Sequence, residues 1–204
     1  NKTEQSIDDV AKQASLLSGM SERIHAQLMG FNISSFHNQM RDVAAASAAE
    51  IQRQFESAIS SGELSQEDVF DRDYQPVEGT NPQKYSTRFD GFTDRHFPDI
   101  QEPILTRHNE VAYAGAVDNN GYFPTHNNRF CKPITGDYET DLLNNRTKRI
   151  FNDPTGARCG KNTEPFLLQT YKRDTGEVMH DISVPIYVNG RHWGGFRLGY
   201  KAEQ

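Results

Sequence analysis

The sequence predicts an α+β fold, in which a long amino-terminal helix precedes an antiparallel sheet of about five strands with flanking helices. Residues 4–60 contain no proline, and their apolar side chains recur every three or four positions, as in a helix. After residue 110 the period changes to two, which is typical of strands. We therefore divide the 204 residues into a helix over 1–60 and a globular domain over 61–204.

Two apolar series follow each other along the predicted helix, and they slip out of phase by two residues at Gly30-Phe31-Asn32. The series are Ile7, Val10, Ala14, Leu17, Ser21, Ile24, Leu28 and Phe31, then Ile33, Phe36, Met40, Val43, Ser47, Ile51, Phe55 and Ile59. The slip predicts a kink near Gly30. A helix of this length would span about 80 Å. We expect its first part to pair with the same helix of a second chain and its second part to pack on the domain; the alternative is a helix broken at Gly30 and folded back.

In the region after the helix, N-cap residues and prolines predict the secondary structure. Ser65, followed by Gln66-Glu67-Asp68, is typical of the N-cap of a short helix with acidic residues in its first turn. Residues 74–104 hold Pro76, Pro82, Pro98 and Pro103, so we expect loop and short helix there.

The remaining elements follow from alternation and turn signals. The predicted strands are 111–117, 122–125, 166–173, 178–188 and 191–200, with one surface helix over 137–151 that is N-capped near Asp137 and ended by Asp153-Pro154-Thr155-Gly156. Asn189-Gly190 favours a type I′ turn, because both positions tolerate positive φ. Such a sheet has one face for a helix and one for a pocket. Gly194-Gly195 interrupts the last strand beside Trp193, which predicts a close approach by the long helix or by a ligand.

Composition and missing motifs restrict the function. The net charge of −6 argues against a nucleic-acid partner, and no run of about 18 apolar residues is present. No G-x-S-x-G, P-loop or dinucleotide-binding glycine pattern occurs, so we expect neither an enzyme nor a cofactor. His126, His180 and His192 lack metal-ligand spacing, and Cys131 and Cys159 form no C-x-x-C, which leaves open whether they pair as a disulfide.

Four stretches carry a resemblance to a known family: "QPVEGTNPQKYSTRF", "AVDNNGYFPTHN", "NNRTKRIFNDPTG" and "LLQTYKRDTGEVMHDISVPIYVNGRHWGGFRLGY". Over about residues 70–200 the sequence resembles the extracytoplasmic sensor region of bacterial methyl-accepting chemotaxis proteins. The resemblance implies a PAS-like, single Cache fold, a periplasmic location between two membrane helices, and a dimer. The chain begins at Asn1, so we expect it to be a piece of a longer, membrane-anchored receptor.

A pocket for a small ligand needs apolar walls and a few convergent polar groups. The predicted ligand-binding residues are Tyr113, Tyr122, His126, Arg146, Arg149, Gln169, Tyr171, Asp181 and Trp193. Arg146 and Arg149 would share a helix face and suit a carboxylate, with a solvated face as the alternative. Asp181 would meet an amine, as a strand aspartate often does in the wider Cache class, or would be an exposed carboxylate.

The predicted function is the non-covalent sensing of a small molecule, with the bound state relayed to membrane helices. Two other functions remain open at this point. The alternatives are that the sheet recognises a periplasmic partner protein, or that the domain is a haem or metal sensor. The sequence does not identify the ligand or the sign of the response.

Overall fold

The computed structural model describes residues 36–172 and 178–201, together with six isolated helical positions near the amino terminus, Gln13, Leu16, Leu17, Gly19, Met20 and Ile24. In chain order the elements are α1 (Phe36–Ser61), α2 (Gln66–Val69), β1 (Gln75–Pro76), β2 (Tyr85–Ser86), α3 (Asp90–Arg107), β3 (Val111–Asp118), β4 (Tyr122–Phe123), a 3-10 turn (Asn128–Phe130), α4 (Tyr138–Asn144), β5 (Arg149–Ile150), α5 (Pro154–Lys161), β6 (Leu167–Lys172), β7 (Val178–Val188) and β8 (Arg191–Lys201). The predicted α+β class is confirmed.

The main sheet has four antiparallel strands in the order β3-β8-β7-β6. The predicted meander is confirmed, and Asn189 and Gly190 form its last turn with φ of 49° and 76°. The last strand is central, because β8 pairs with both β3 and β7. The sheet therefore holds the carboxyl-terminal strand between two partners.

The predicted strand over 122–125 forms in part, as β4, but it belongs to a different ladder. Tyr122 and Phe123 pair with Ile150 and Arg149, so that β4 and β5 make a separate two-stranded ribbon. The turn before β4 is as predicted, since the amide of Gly121 donates to the carbonyl of Asp118 at 2.9 Å. The main sheet thus has four strands instead of about five.

One face of the main sheet packs against α1 and α3. The second apolar series supplies this contact, since Met40, Ile51 and Phe55 are all fully buried. Ser47, the polar interruption of that series, is buried too, and its hydroxyl donates to the carbonyl of Val43. Most of the first series and the kink at Gly30 lie outside the described residues. The division at residue 60 stays a prediction, although α1 ends close to it, at Ser61.

Two helices correct the sequence-based expectations. The segment for which the prolines predicted loop and short helix contains α3, an 18-residue helix with Pro98 and Pro103 inside it. Its buried positions recur at helical spacing (Thr93, Phe97, Gln101 and Ile104), so core packing outweighs the unfavourable prolines.

The second correction concerns residues 137–151, which are not one helix. Asp137 caps α4 as predicted, but α4 ends at Asn144 and Arg149 begins β5. Asp153 does not end a helix; its carboxylate accepts from the amides of Thr155 and Gly156, and so it caps the start of α5.

The glycine pair in β8 is explained by α5 and β3. A Cβ on Gly195 would lie 2.8 Å from the carbonyl oxygen of Cys159 in α5, and a Cβ on Gly194 would clash with the backbone of Val117 and Asp118. The long amino-terminal helix, which was predicted to approach here, instead contacts Trp193 through Phe55, with ring centroids 5.1 Å apart. The helix at the glycines is therefore α5, on the opposite face of the sheet.

Candidate functional site

A cavity of about 660 Å³ opens on the face of the main sheet that α1 does not cover. Tyr113 of β3, Arg197 of β8 and Tyr171 of β6 contribute to it from the sheet. The rest of the lining comes from two places. The end of the sheet contributes Glu110 and Lys201, and the chain between β3 and α5 contributes Phe123, His126, Arg129, Phe130, Arg146, Phe151 and Asp153. Its aromatic walls and its arginines are the features of a small-molecule site.

A buried ion pair lies at the base of the cavity. Asp181 is fully buried and accepts from Arg197 twice, from Nε at 3.1 Å and from Nη2 at 2.6 Å. It also accepts from the hydroxyl of Tyr113 and, at 2.9 Å, from the thiol of Cys159. Tyr113 in turn accepts from Arg197 Nη2 at 2.9 Å. The alternation of β7 and β8 produces this pair, because Asp181 and Arg197 project to the same face, away from α1.

The protonation states of this cluster follow from burial and from the pair itself. Burial disfavours the Arg197 cation, but the adjacent Asp181 carboxylate, together with Cys159 and Tyr113, raises the pKa of Arg197 well above its usual value. Burial raises the pKa of Tyr113 well above 10, and Asp181 raises it further, so the hydroxyl keeps its proton. Burial also raises the pKa of Cys159, which stays a thiol.

His126 lies on the side of the cavity where the arginine side chains are. It is 4% exposed, and its ring lies parallel to that of Phe123 with centroids 4.1 Å apart. Nδ1 accepts from the amide of Asn127 at 2.8 Å, so the neutral ring carries its proton on Nε2. Burial lowers the pKa of His126 well below 6.5, and the surrounding Arg146, Arg197, Arg129 and Arg149 lower it further.

These arginines are held against the aromatic walls. The guanidinium of Arg129 lies 5.1 Å from the ring centroid of Phe130, and that of Arg146 lies 5.1 Å from the ring centroid of Phe151. Arg149 lies 5.3 Å from the same Phe151 ring and donates to the carbonyl of Leu142. Cation–π contacts of this kind position a guanidinium without neutralising its charge.

The structure brings together most of the predicted ligand-binding residues. Tyr113, His126, Arg146 and Tyr171 line the cavity. Asp181 lies directly beneath Tyr113 and Arg197, and it is buried, which corrects the alternative of an exposed carboxylate. Arg149 lies next to the cavity in β5, and both Arg149 and Arg146 contact the Phe151 ring. The two arginines do not share a helix face, because α4 ends at Asn144.

The other three predicted residues lie elsewhere. Trp193 is fully buried on the α1 face, where its indole N–H donates to the carbonyl of Val69 at 2.8 Å. The hydroxyl of Tyr122 lies 2.9 Å from the Asp90 carboxylate, between α3 and the β4–β5 ribbon. Gln169 is buried under α5 and donates to the carbonyl of Thr155 at 3.1 Å. Each satisfies a structural hydrogen bond outside the cavity.

Sequence reasoning missed several lining residues. Arg197 falls in the predicted strand 191–200 but is not among the predicted ligand-binding residues, although a lone charge between Phe196 and Leu198 indicates a polar position on the opposite face. Arg129 and Phe130 fall in a 3-10 turn that has no periodicity. Phe123 and Phe151 are brought to the cavity by the β4–β5 ribbon, which alternation alone does not reveal.

The described residues give three further findings about the chain. Cys131 and Cys159 are both free thiols, which resolves the open question of a disulfide. Within 36–172 and 178–201, no group of three or more His, Cys, Asp or Glu side chains is arranged to hold a metal ion. Nor does any helix in the described part of the chain combine the length and apolarity needed to cross a membrane.

Comparison with known proteins gives structural neighbours only. No protein family and no curated protein sequence matches the chain. An extracellular ligand-binding receptor from Desulfohalobium retbaense DSM5692 is 16% identical with a TM-score of 0.33, over 83% of this chain and 26% of that one. The ligand-binding domain of the Pseudomonas aeruginosa PAO1 amino acid chemoreceptor PctC, in complex with GABA, is 17% identical with a TM-score of 0.33, over 82% of this chain and 61% of that one.

The chain thus spans about a quarter of the first neighbour and about three-fifths of the second. Because both TM-scores lie below 0.5, neither likeness bears on what this chain binds.

Proposed function

We propose that this chain is a sensor domain that binds a small molecule non-covalently in the cavity on the sheet. The observation that supports this most is the cavity itself, about 660 Å³ with aromatic walls and converging arginines. Its volume falls within the range of small-ligand sites, roughly 300–1,000 Å³. Hydrogen bonds among Arg197, Asp181 and Tyr113 hold the ion pair beneath it in place, so the base of the site is formed before any ligand arrives.

Binding without catalysis is the more economical proposal for these residues. A nucleophile needs an activated side chain with an adjacent base. The buried Cys159 thiol has a raised pKa and donates to Asp181, so its sulfur is a poor nucleophile. His126 accepts from a backbone amide through Nδ1, which leaves it as a donor to a ligand.

Strand β8 offers a route from the cavity to α1. Arg197 and Lys201 line the cavity, whereas the intervening Tyr200 lies on the opposite face. There the hydroxyl of Tyr200 lies 2.8 Å from Nδ1 of His37, in the first turn of α1. A ligand that shifts β8 would therefore displace the start of α1, and we propose this as the relay between occupancy and the amino-terminal helix.

We further propose that the domain is the periplasmic sensor of a methyl-accepting chemotaxis receptor, with membrane anchors outside this chain. The sequence resemblance over residues 70–200 supports this, and the PAS-like architecture agrees with it. Dimerisation through the amino-terminal helix is part of the same proposal. Leu17 and Ile24 of the first apolar series are helical and expose 66% and 53% of their surface in the single chain, as an unpaired seam would.

A thermal-shift screen with organic acids, amino acids, amines and purines tests the sensor proposal. A ligand at 100 times its Kd should stabilise the chain by about 2.7 kcal/mol. Ala112→Phe, which adds a ring to the cavity lining, should abolish the ligand-dependent shift in Tm. Ala45→Phe, at an exposed position on α1, is the matched control and should leave the shift intact.

Two results would contradict the proposal. The first is a screen in which no compound shifts the Tm of the wild-type chain. The second is a ligand whose shift survives Ala112→Phe in a correctly folded variant, because that ligand would bind elsewhere. A silent screen together with capture of a periplasmic protein would favour the partner-recognition function instead.

A further inference from the structure

The charges around the cavity favour an anionic ligand. Two carboxylates, Glu110 and Asp153, line it, and both belong to exposed residues. The cations of the lining are Arg129, Arg146, Arg197 and Lys201. Asp181 neutralises one of them, Arg197, and Arg149 adds a further positive charge beside Phe151. Among the described residues at the cavity, cationic side chains thus outnumber carboxylates, with Asp181 counted.

The donors at the base of the cavity are already oriented. Arg197 uses Nε and Nη2 to bind Asp181 and Tyr113, and this fixes the plane of the guanidinium. Within the described residues, Nη1 of Arg197 has no protein acceptor, and its N–H groups remain for a ligand. The two N–H groups of Nη1 can donate to a carboxylate, and a donor held in place loses little freedom on binding.

The walls of the cavity favour a flat apolar body. The parallel rings of Phe123 and His126 form one wall, with the Phe130 ring set edge-on at 4.7 Å from His126. Phe151 meets Phe123 edge-to-face at 6.1 Å. A planar ligand can stack on or abut such rings, which adds to the free energy gained from area alone.

Among the described residues at the cavity, no buried carboxylate is left for an ammonium group. Asp181 is the predicted partner for an amine, but it already accepts from Arg197, Tyr113 and Cys159. The other carboxylates of the lining, Glu110 and Asp153, are exposed to solvent, where an ion pair contributes little. An ammonium group placed near His126 would also face the four arginines that surround it.

We infer that the ligand is a small carboxylate with a planar apolar body and without an amino group. This inference rests on the proposed sensor function and specifies its ligand. The carboxylate lies against the guanidinium groups of Arg197 and its neighbours, and the planar body lies between the aromatic walls.

Calorimetric titration of the 204-residue chain with a matched set of compounds tests the ligand class. The carboxylates are benzoate, phenylacetate and 3-phenylpropionate; the controls are 3-phenylpropionamide, 3-phenylpropylamine, L-phenylalanine and propionate. We expect the best aromatic carboxylate to bind at least tenfold more tightly than its amide, its amine and its α-amino analogue, and than propionate. Tighter binding of 3-phenylpropylamine or of L-phenylalanine than of the carboxylates would overturn the inference about the ligand and leave the sensor function standing.

Site variants give the second half of the test. Arg129→Gln and Arg146→Gln should each weaken the best carboxylate about tenfold or more and leave weak amide binding unchanged. Arg53→Gln, which removes an exposed charge on α1 far from the cavity lining, should change neither. Carboxylate binding that survives both lining variants would overturn the inference. If no compound of any charge binds here or in the wider screen, the sensor function fails as well.

Discussion

The two faces of the main sheet are built from the same strands and have opposite chemistry. Towards α1 and α3, β7 and β8 present Ile182, Ile186, Trp193 and Phe196, all buried in one apolar cluster. Towards the cavity the same strands present Asp181 and Arg197, equally buried but charged. One face thus stabilises the domain by excluding water, and the other keeps oriented polar groups at the base of a cavity.

This difference explains how one small domain can be both rigid and responsive. Burial of large apolar side chains contributes about 1.5–3 kcal/mol each and has no directional requirement. A buried ion pair contributes little net stability, but it fixes its donors in place. The helix face therefore carries most of the folding free energy, and the cavity face carries the specificity.

Phe55→Ala is the change that should disturb the helix face most. Phe55 is fully buried and contacts the rings of Phe89, Phe92, Phe97 and Trp193. Removing its ring should lower the free energy of unfolding by about 3–5 kcal/mol, measured by urea denaturation. Ile134→Ala, at a residue that is 48% exposed, should change it by less than about 0.5 kcal/mol. If the two faces are independent, a ligand should raise the free energy of unfolding of Phe55→Ala by the same amount as that of the wild type. If the ligand no longer stabilises Phe55→Ala, the two faces are coupled.

The ion pair on the cavity face should respond to mutation in a different pattern. Asp181→Leu or Arg197→Met alone leaves one buried charge without its partner and should cost about 3–5 kcal/mol of unfolding free energy. The double variant removes both charges and should recover most of that loss, because no charge is then left unpaired. Urea denaturation of all four chains without ligand measures this coupling. Additive losses in the double variant would mean that the two side chains act as ordinary packing residues.

The helix face was predictable from the sequence because its signals are local. Helical spacing over Met40, Ile51 and Phe55 and the alternation of Ile182, Val184 and Ile186 each place a core face directly. Caps at Ser65 and Asp137 are equally local, and both are observed. Where a local rule failed, as at the prolines of α3, the apolar packing of Phe92 and Phe97 decided the outcome.

The cavity was only partly predictable, because it depends on contacts between distant segments. The sequence predicted Tyr113, Tyr171 and Asp181 as ligand-binding residues, but it does not say that Arg197 would take up the Asp181 carboxylate. The walls at Phe123 and Phe151 exist because the β4–β5 ribbon pairs residues that lie nearly thirty positions apart. In hindsight, Asp153-Pro154 is a signal for the start of α5, since proline favours the first helical position.

The smallest predicted effect concerns the protonation of His126 on the cavity face. Its pKa is lowered in the folded chain by burial and by four arginines, whereas the unfolded chain has an ordinary histidine near 6.5. Below pH 6.5 the unfolded chain therefore binds one more proton than the folded chain at this residue. The stability that depends on neutral His126 is complete above pH 6.5 and should be lost at up to about 1.4 kcal/mol per pH unit as the pH falls.

The difference between wild type and His126→Asn isolates this contribution from the other titrating groups. Asparagine retains an acceptor for the amide of Asn127 but has no proton to gain. The free energy of unfolding of both chains, measured by urea denaturation from pH 8 to pH 5, should differ by a constant amount above pH 6.5. Below it, the wild type should lose stability faster than the variant, and equal slopes would show that His126 can take up a proton without opening the cavity wall.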